Sequence, residues 1–118
     1  MSEVSMIAAG NAVEEQRFLY EVYADSRREE IEGWGWNKEQ QTWFLEMQYR
    51  FRCHSYAMRY ETQEIFIIGA NGRWVGQATT AAQDGVLWIV DLAVLSPFRN
   101  QGIGAQVIRD LQMKAARQ

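Results

Sequence analysis

Near its C-terminal end the 118-residue chain reads SPFRNQGIGAQVIRDLQMK, and RNQGIGA, Arg99 to Ala105, is where residue types and spacing most suggest chemistry. Gly102 and Gly104 precede an amphipathic run. Glycines there let backbone amides converge at the positive end of a helix with no Cβ in the way, an arrangement suited to a phosphate group. The same glycines also suit a plain helix start. Two familiar nucleotide patterns are excluded. RNQGIGA lacks the Gly-Lys-Ser/Thr of a P-loop, and its glycines do not follow the first strand of a βαβ unit with an acidic residue about 20 positions on.

Three other groups could do chemistry. Asp91 is the only ionisable residue in VLWIVDLAVL, either a base with a perturbed pKa or a hydrogen-bonded structural carboxylate. His54 has no metal-ligand partner at a suitable spacing. Cys53 is the single cysteine, so it forms no internal disulfide; it reads as a packed helix residue of a protein in a reducing, cytoplasmic setting. No metal site is expected.

Composition sets the frame for these groups. The apolar fraction of 47%, with five tryptophans, suits a folded single domain over residues 1–118. A net charge of −3, with arginines scattered among glutamates, provides no footprint for nucleic acid. The opening MSEVSMIAAG is acidic at Glu3 and too short in its apolar run for a signal peptide or membrane span.

The elements that must position the loop follow from periodicity. VSMIAA (4–9) reads as a strand, and Asn11 with Glu14 resembles a capping box before a helix whose Phe18, Leu19, Val22 and Tyr23 share a face. Gly33 and Gly35 interrupt that helix, and Asn37 caps a second one. In this second helix Phe44, Met47, Phe51 and Met58 form a stripe expected in the core, with Glu46 and Arg50 a turn apart on the polar side.

After Thr62 the period changes to that of strands. EIFIIGA, RWVGQATTA and GVLWIVDLAVL are separated by Asn71-Gly72 and Asp84-Gly85, which predicts a three-stranded antiparallel meander. The last strand, Val86 to Leu95, is apolar almost throughout and is expected to be covered on both faces, with helices on both sides. Pro97 ends it, and a helix through Val107, Ile108 and Leu111 follows.

Placed after these strands, DLAVLSPFRNQGIGAQVI resembles motif A of the GNAT N-acetyltransferase superfamily: Arg or Gln, two residues, Gly, one residue, then Gly or Ala. Arg99, Gly102 and Gly104 fill the pattern. The resemblance implies an α/β fold with a mixed, mostly antiparallel sheet, and acetyl-CoA as cofactor. It assigns Leu92, Ala93 and Val94 to the pantetheine arm, and Arg99, Asn100, Gln101, Gly102, Ile103, Gly104 and Ala105 to the pyrophosphate. It also implies transfer of acetyl to a primary amine of a small molecule or peptide. The segment YADSRREEIEGWGW, with FLEMQY, looks like a bacterial branch of the superfamily.

The departures are informative. Fourteen residues follow Gly104, so the fold is expected to be incomplete at its C-terminal end, without the fifth strand and the later helix whose tyrosine serves relatives as an acid. Trp88 aligns where many relatives carry a glutamate base, and strand parity places Asp91 on the opposite face from Trp88. Arg27, Glu29, Glu30 and Trp36, near the glycine-tryptophan loop, are either acceptor-binding residues or a solvated helix end with one packed tryptophan. An unpaired last strand would invite a homodimer through Val86 to Leu95 or an exchanged segment. The competing expectation is a non-catalytic domain that keeps the fold for protein association.

Overall fold

The computed structural model describes residues 4–117; Glu3 lies outside them. Among these the order is β1 (Val4–Ala8), α1 (Val13–Glu32), α2 (Lys38–Arg59), β2 (Gln63–Ala70), β3 (Arg73–Gln83), β4 (Val86–Val94) and α3 (Ile103–Ala116), with a short 3-10 turn at Ser96–Phe98. The strands form one sheet in the order β1-β2-β3-β4, and every described pairing is antiparallel.

Local sequence explains the meander. Asn71 and Gly72 have φ of 53° and 78°, as do Asp84 and Gly85, the doubly left-handed geometry of a tight hairpin turn. Helices cover both faces, as expected. On one, Ile103, Val107 and Leu111 of α3 pack against Ile68, Ala70, Val75 and Ala78. On the other, Leu19, Val22 and Tyr23 of α1 are buried, and each such side chain contributes about 1.5–3 kcal/mol.

Helix α2 starts as its sequence predicts. Asn37 Oδ1 accepts from Gln40 N at 2.8 Å while Gln40 Oε1 accepts from Asn37 N at 3.0 Å, a reciprocal capping box. Helix α1 does not. Its N-cap is Ala12, without a side-chain bond, and Glu15 rather than Glu14 reaches back, accepting from Gly10 N at 3.0 Å. The carboxylate one residue further on reaches the free amide of the β1–α1 turn, so Asn11 and Glu14 take no capping part.

Two burial expectations are overturned. Phe51 and Met58 are 72% and 76% exposed and Met47 is also exposed; only Phe44 is partly covered. The reason is that α2 turns a different stripe inward, Tyr49, Arg52, Cys53 and Tyr56, spaced three, four and seven residues apart. Strand β4 is not covered on both faces along its length either. Val86, Trp88 and Ile89 are exposed, because the flanking helices cover only its C-terminal half, where Val90 to Val94 are partly buried.

Candidate functional site

The loop after β4 is built on unusual backbone. Asn100 and Gly102 have φ of 63° and 80°, so the chain passes through two left-handed residues immediately before α3. Gly102 is the N-cap of α3 and no side chain caps the helix; the first intrahelical bond runs from Gln106 N to Gly102 O at 3.0 Å. The amides of Ile103, Gly104 and Ala105 therefore keep the positive end of α3 open. A Cβ built on Gly104 meets no protein atom within 4 Å, and its backbone is ordinary helix. A side chain at this position would project into open space.

The loop is held from a distance. Asp25 of α1, with its side chain 8% exposed, accepts from Ser96 N at 2.9 Å and from Ser96 Oγ at 2.8 Å. It also pairs with Arg99 Nη2 at 3.2 Å and with Arg28 Nη1 at 3.2 Å. Arg99 Nε donates to Val94 O at 2.8 Å. Arg99 thus bridges the end of β4 to α1, and its guanidinium is a positioning group for the loop.

Strand β4 is the edge of the described sheet. Leu95 N bonds inward to Val75 O at 2.8 Å, whereas Val94 O faces Arg99, away from β3. Antiparallel alternation then turns the main-chain groups of Leu92 outward as well. Gly76 of β3 permits this edge: a Cβ there would stand 2.3 Å from Ala93 O, so only glycine lets the two strands close up.

A bulge on β4 corrects the parity argument for Asp91. Ile89 faces Thr80 and Asp91 faces Thr79, which leaves Val90 as an extra residue. Trp88 faces Ala81, and Thr79 and Ala81 share a face of β3. Asp91 and Trp88 therefore lie on the same face, toward α1 and α2, because the extra residue resets the alternation between them. Here Asp91 is paired with Arg52 and accepts from Gln77 Nε2, and Gln77 Oε1 in turn accepts from Thr79 Oγ1 at 2.9 Å.

Asp91 lines a cavity of about 180 Å³ between α1, α2 and the sheet, together with Leu92 and Ala93 of β4. Tyr23, Tyr49 and Tyr56 stand among its walls. Burial, then the neighbouring Cys53 thiol and its hydrogen bond, push the Tyr49 phenol well above its ordinary value. Burial, with Glu46 and Glu21 nearby, raises Tyr20 too. Cys53 lines the cavity but is exposed, so the packed position expected for it is not what the fold provides.

The four acceptor candidates stand elsewhere. Arg27 donates to Tyr23 Oη at 2.9 Å and pairs with Glu30 at 3.3 Å, while Glu29 points into solvent. Trp36 packs edge-to-face with Trp34 and Phe44, at centroid distances of 5.2 and 5.4 Å. These residues surround the α1–α2 corner. Sequence reasoning missed Asp25, Arg52, Gln63 and Gln77. The inward α2 spacing of 49, 52, 53 and 56 was the one available signal for Arg52; Asp25 had none, being 71 residues from its partner Ser96.

An antiparallel sheet between helices, with an uncapped helix N-terminus beside its edge strand, defines an α/β domain. The sequence matches the profile of the Acetyltransferase (GNAT) family over residues 16–118, and the chain belongs to that family. The fold is similar to the PaiA N-acetyltransferase from Thermoplasma acidophilum, crystallised with coenzyme A. That likeness has a TM-score of 0.65 at 12% identity and covers 99% of this chain and 73% of the other. It is also similar to a GNAT family acetyltransferase from Elizabethkingia anophelis with acetyl-CoA bound, with a TM-score of 0.53 at 21% identity. There the match covers 98% of this chain and 58% of the other. No curated protein is significantly similar in sequence.

Proposed function

We propose that this domain binds acetyl-CoA through RNQGIGA and the β4 edge and transfers the acetyl group to a primary amine. The observation that carries this reading is the uncapped start of α3, with Gly102 left-handed and Gly104 open to the outside. Amides of Ile103, Gly104 and Ala105 would hold the pyrophosphate, helped by the helix dipole. Main-chain groups of Leu92 would meet the amides of the pantetheine arm, and Arg99 with Asp25 would keep the loop in place. When bound, the cofactor supplies an activated thioester, so the chain need only orient the acceptor, exclude water and take up a proton. Asp91 is the carboxylate nearest to that task, although Arg52 and Gln77 already engage it.

Calorimetric titration with acetyl-CoA tests the reading. Saturable binding to the folded chain is expected; a folded chain that takes up no acetyl-CoA would leave RNQGIGA as a helix start. The lone Cys53 suits a cytoplasmic setting.

A second reading rests on one observation: Val86, Trp88 and Ile89 are exposed along the outer strand of the described sheet. Two copies pairing through β4 would cover them, and association would then be a role of the fold with or without turnover. Light scattering at micromolar concentration decides this, a strictly monomeric mass counting against it.

A further inference from the structure

The cavity under α1 and α2 holds a cation, an anion and an unsatisfied polar atom, and the phosphate cradle uses none of them. Arg52 is the cation. Its Cζ lies 5.1 Å from the ring centroids of both Tyr23 and Tyr56, and its Nη2 meets the carboxylate of Asp91. A guanidinium carries five N–H donors, so the edge turned away from Asp91 can receive a second carboxylate in forked geometry. Both side chains are 27% exposed, so an incoming molecule can reach the pair.

The unsatisfied atom is Gln63 Oε1, a buried oxygen with no hydrogen-bond partner, on a residue that lines the same cavity. The cavity, about 180 Å³, is smaller than the roughly 300–1,000 Å³ of pockets for drug-sized ligands. One small molecule with a compact apolar body fits between the tyrosines.

Charge decides which small molecule. A simple ammonium ion would compete with Arg52 for Asp91 and strand the guanidinium beside two rings without its counter-charge. A simple anion would set two carboxylates around one guanidinium. A zwitterion does neither: its carboxylate takes Arg52, its ammonium takes Asp91, and every charge stays paired after the exchange.

We infer that this cavity binds a free amino acid, its carboxylate on Arg52 and its ammonium on Asp91. Leu92 and Ala93 line the same space, so the amine end lies beside the strand assigned to the cofactor arm. As an acetyl acceptor the amino acid presupposes the acetyl-transfer reading above; as a ligand it does not.

The test is a binding experiment on the 118-residue protein, by calorimetry, with and without saturating coenzyme A. The probes are the twenty standard amino acids, the decarboxylated amine of each one that binds (phenethylamine for phenylalanine, 3-methylbutylamine for leucine) and its N-acetyl derivative. At least one amino acid should bind saturably, with its amine and its N-acetyl form each weaker by about tenfold or more. In Arg52→Gln, checked for folding by circular dichroism, the preference over the amine should collapse, and Arg52→Lys should restore part of it. An amine that binds as tightly as its amino acid overturns the inference, as does the absence of saturable binding by all twenty. Coenzyme A binding is scored separately. A chain that takes an amino acid but no coenzyme A keeps this inference and refutes the transferase reading, and the reverse result refutes this inference alone.

Discussion

Replacing Gly104 with glutamate separates a ligand-imposed glycine from a structural one. Gly104 is the second residue of α3, has helical backbone, and a Cβ there meets nothing within 4 Å. Glycine to glutamate inside a helix gains about 0.5 kcal/mol of propensity, and a carboxylate in the first turn adds about 0.3–1 kcal/mol through the helix dipole. The variant should therefore be more stable by about 1 kcal/mol. With about 2.1 cal/mol/K of unfolding entropy per residue over 118 residues, that raises Tm by about 4 °C. The same carboxylate would stand against the cofactor's pyrophosphate. Two unit charges about 4 Å apart at an effective dielectric of about 20 repel by about 4 kcal/mol, so acetyl-CoA affinity should fall by about a hundredfold or more. Differential scanning calorimetry and ligand titration on one preparation give both numbers. Unchanged affinity would refute the cradle, and a lowered Tm would show that the glycine serves the fold instead.

Other substitutions probe the supports of the site. Asp25→Ala removes the acceptor of Ser96 and Arg99 and should lower stability by about 2 kcal/mol, since bonds to a charged group are worth about 1.5–3 kcal/mol. It should also weaken acetyl-CoA binding about tenfold in the same titration, although Asp25 itself is expected to touch no ligand. Gly76→Ala places a methyl 2.3 Å from Ala93 O and should cost about 1–3 kcal/mol in urea unfolding. Phe51→Gln, on the outward stripe of α2 and 72% exposed, should change stability by no more than about 0.5 kcal/mol. Burial raises the Tyr49 phenol above its ordinary value of 10.0, so the folded state holds its proton after the unfolded chain has released it. Its contribution to stability is complete below pH 10.0 and declines as pH rises through the folded-state value, a loss that Tyr49→Phe should remove.

Much of the architecture was readable because it is written in short-range terms. Asn71-Gly72 and Asp84-Gly85 demand left-handed pairs, which pin the hairpins; Asn37 and Gln40 cap each other across one turn; RNQGIGA carries its left-handed glycine within the motif. Backbone sterics and bonds between near neighbours decide these features, and no distant residue is needed to settle them.

What the sequence left open depends on parts of the chain brought together from afar. Asp25 reads as one more acid on a charged helix until the fold carries it to Ser96 and Arg99. The side of the sheet that Asp91 occupies turned on the single extra residue at Val90, which alternation cannot foresee, because a bulge appears only once β3 and β4 pair. Helix α2 offers an apolar stripe and a mixed one at the same helical spacing, and only its docking over α1 and the sheet chose the mixed one with Tyr49, Arg52 and Tyr56. Periodicity reports that a face is apolar. Which face is buried, and which buried polar atom is left without a partner, is decided by packing alone.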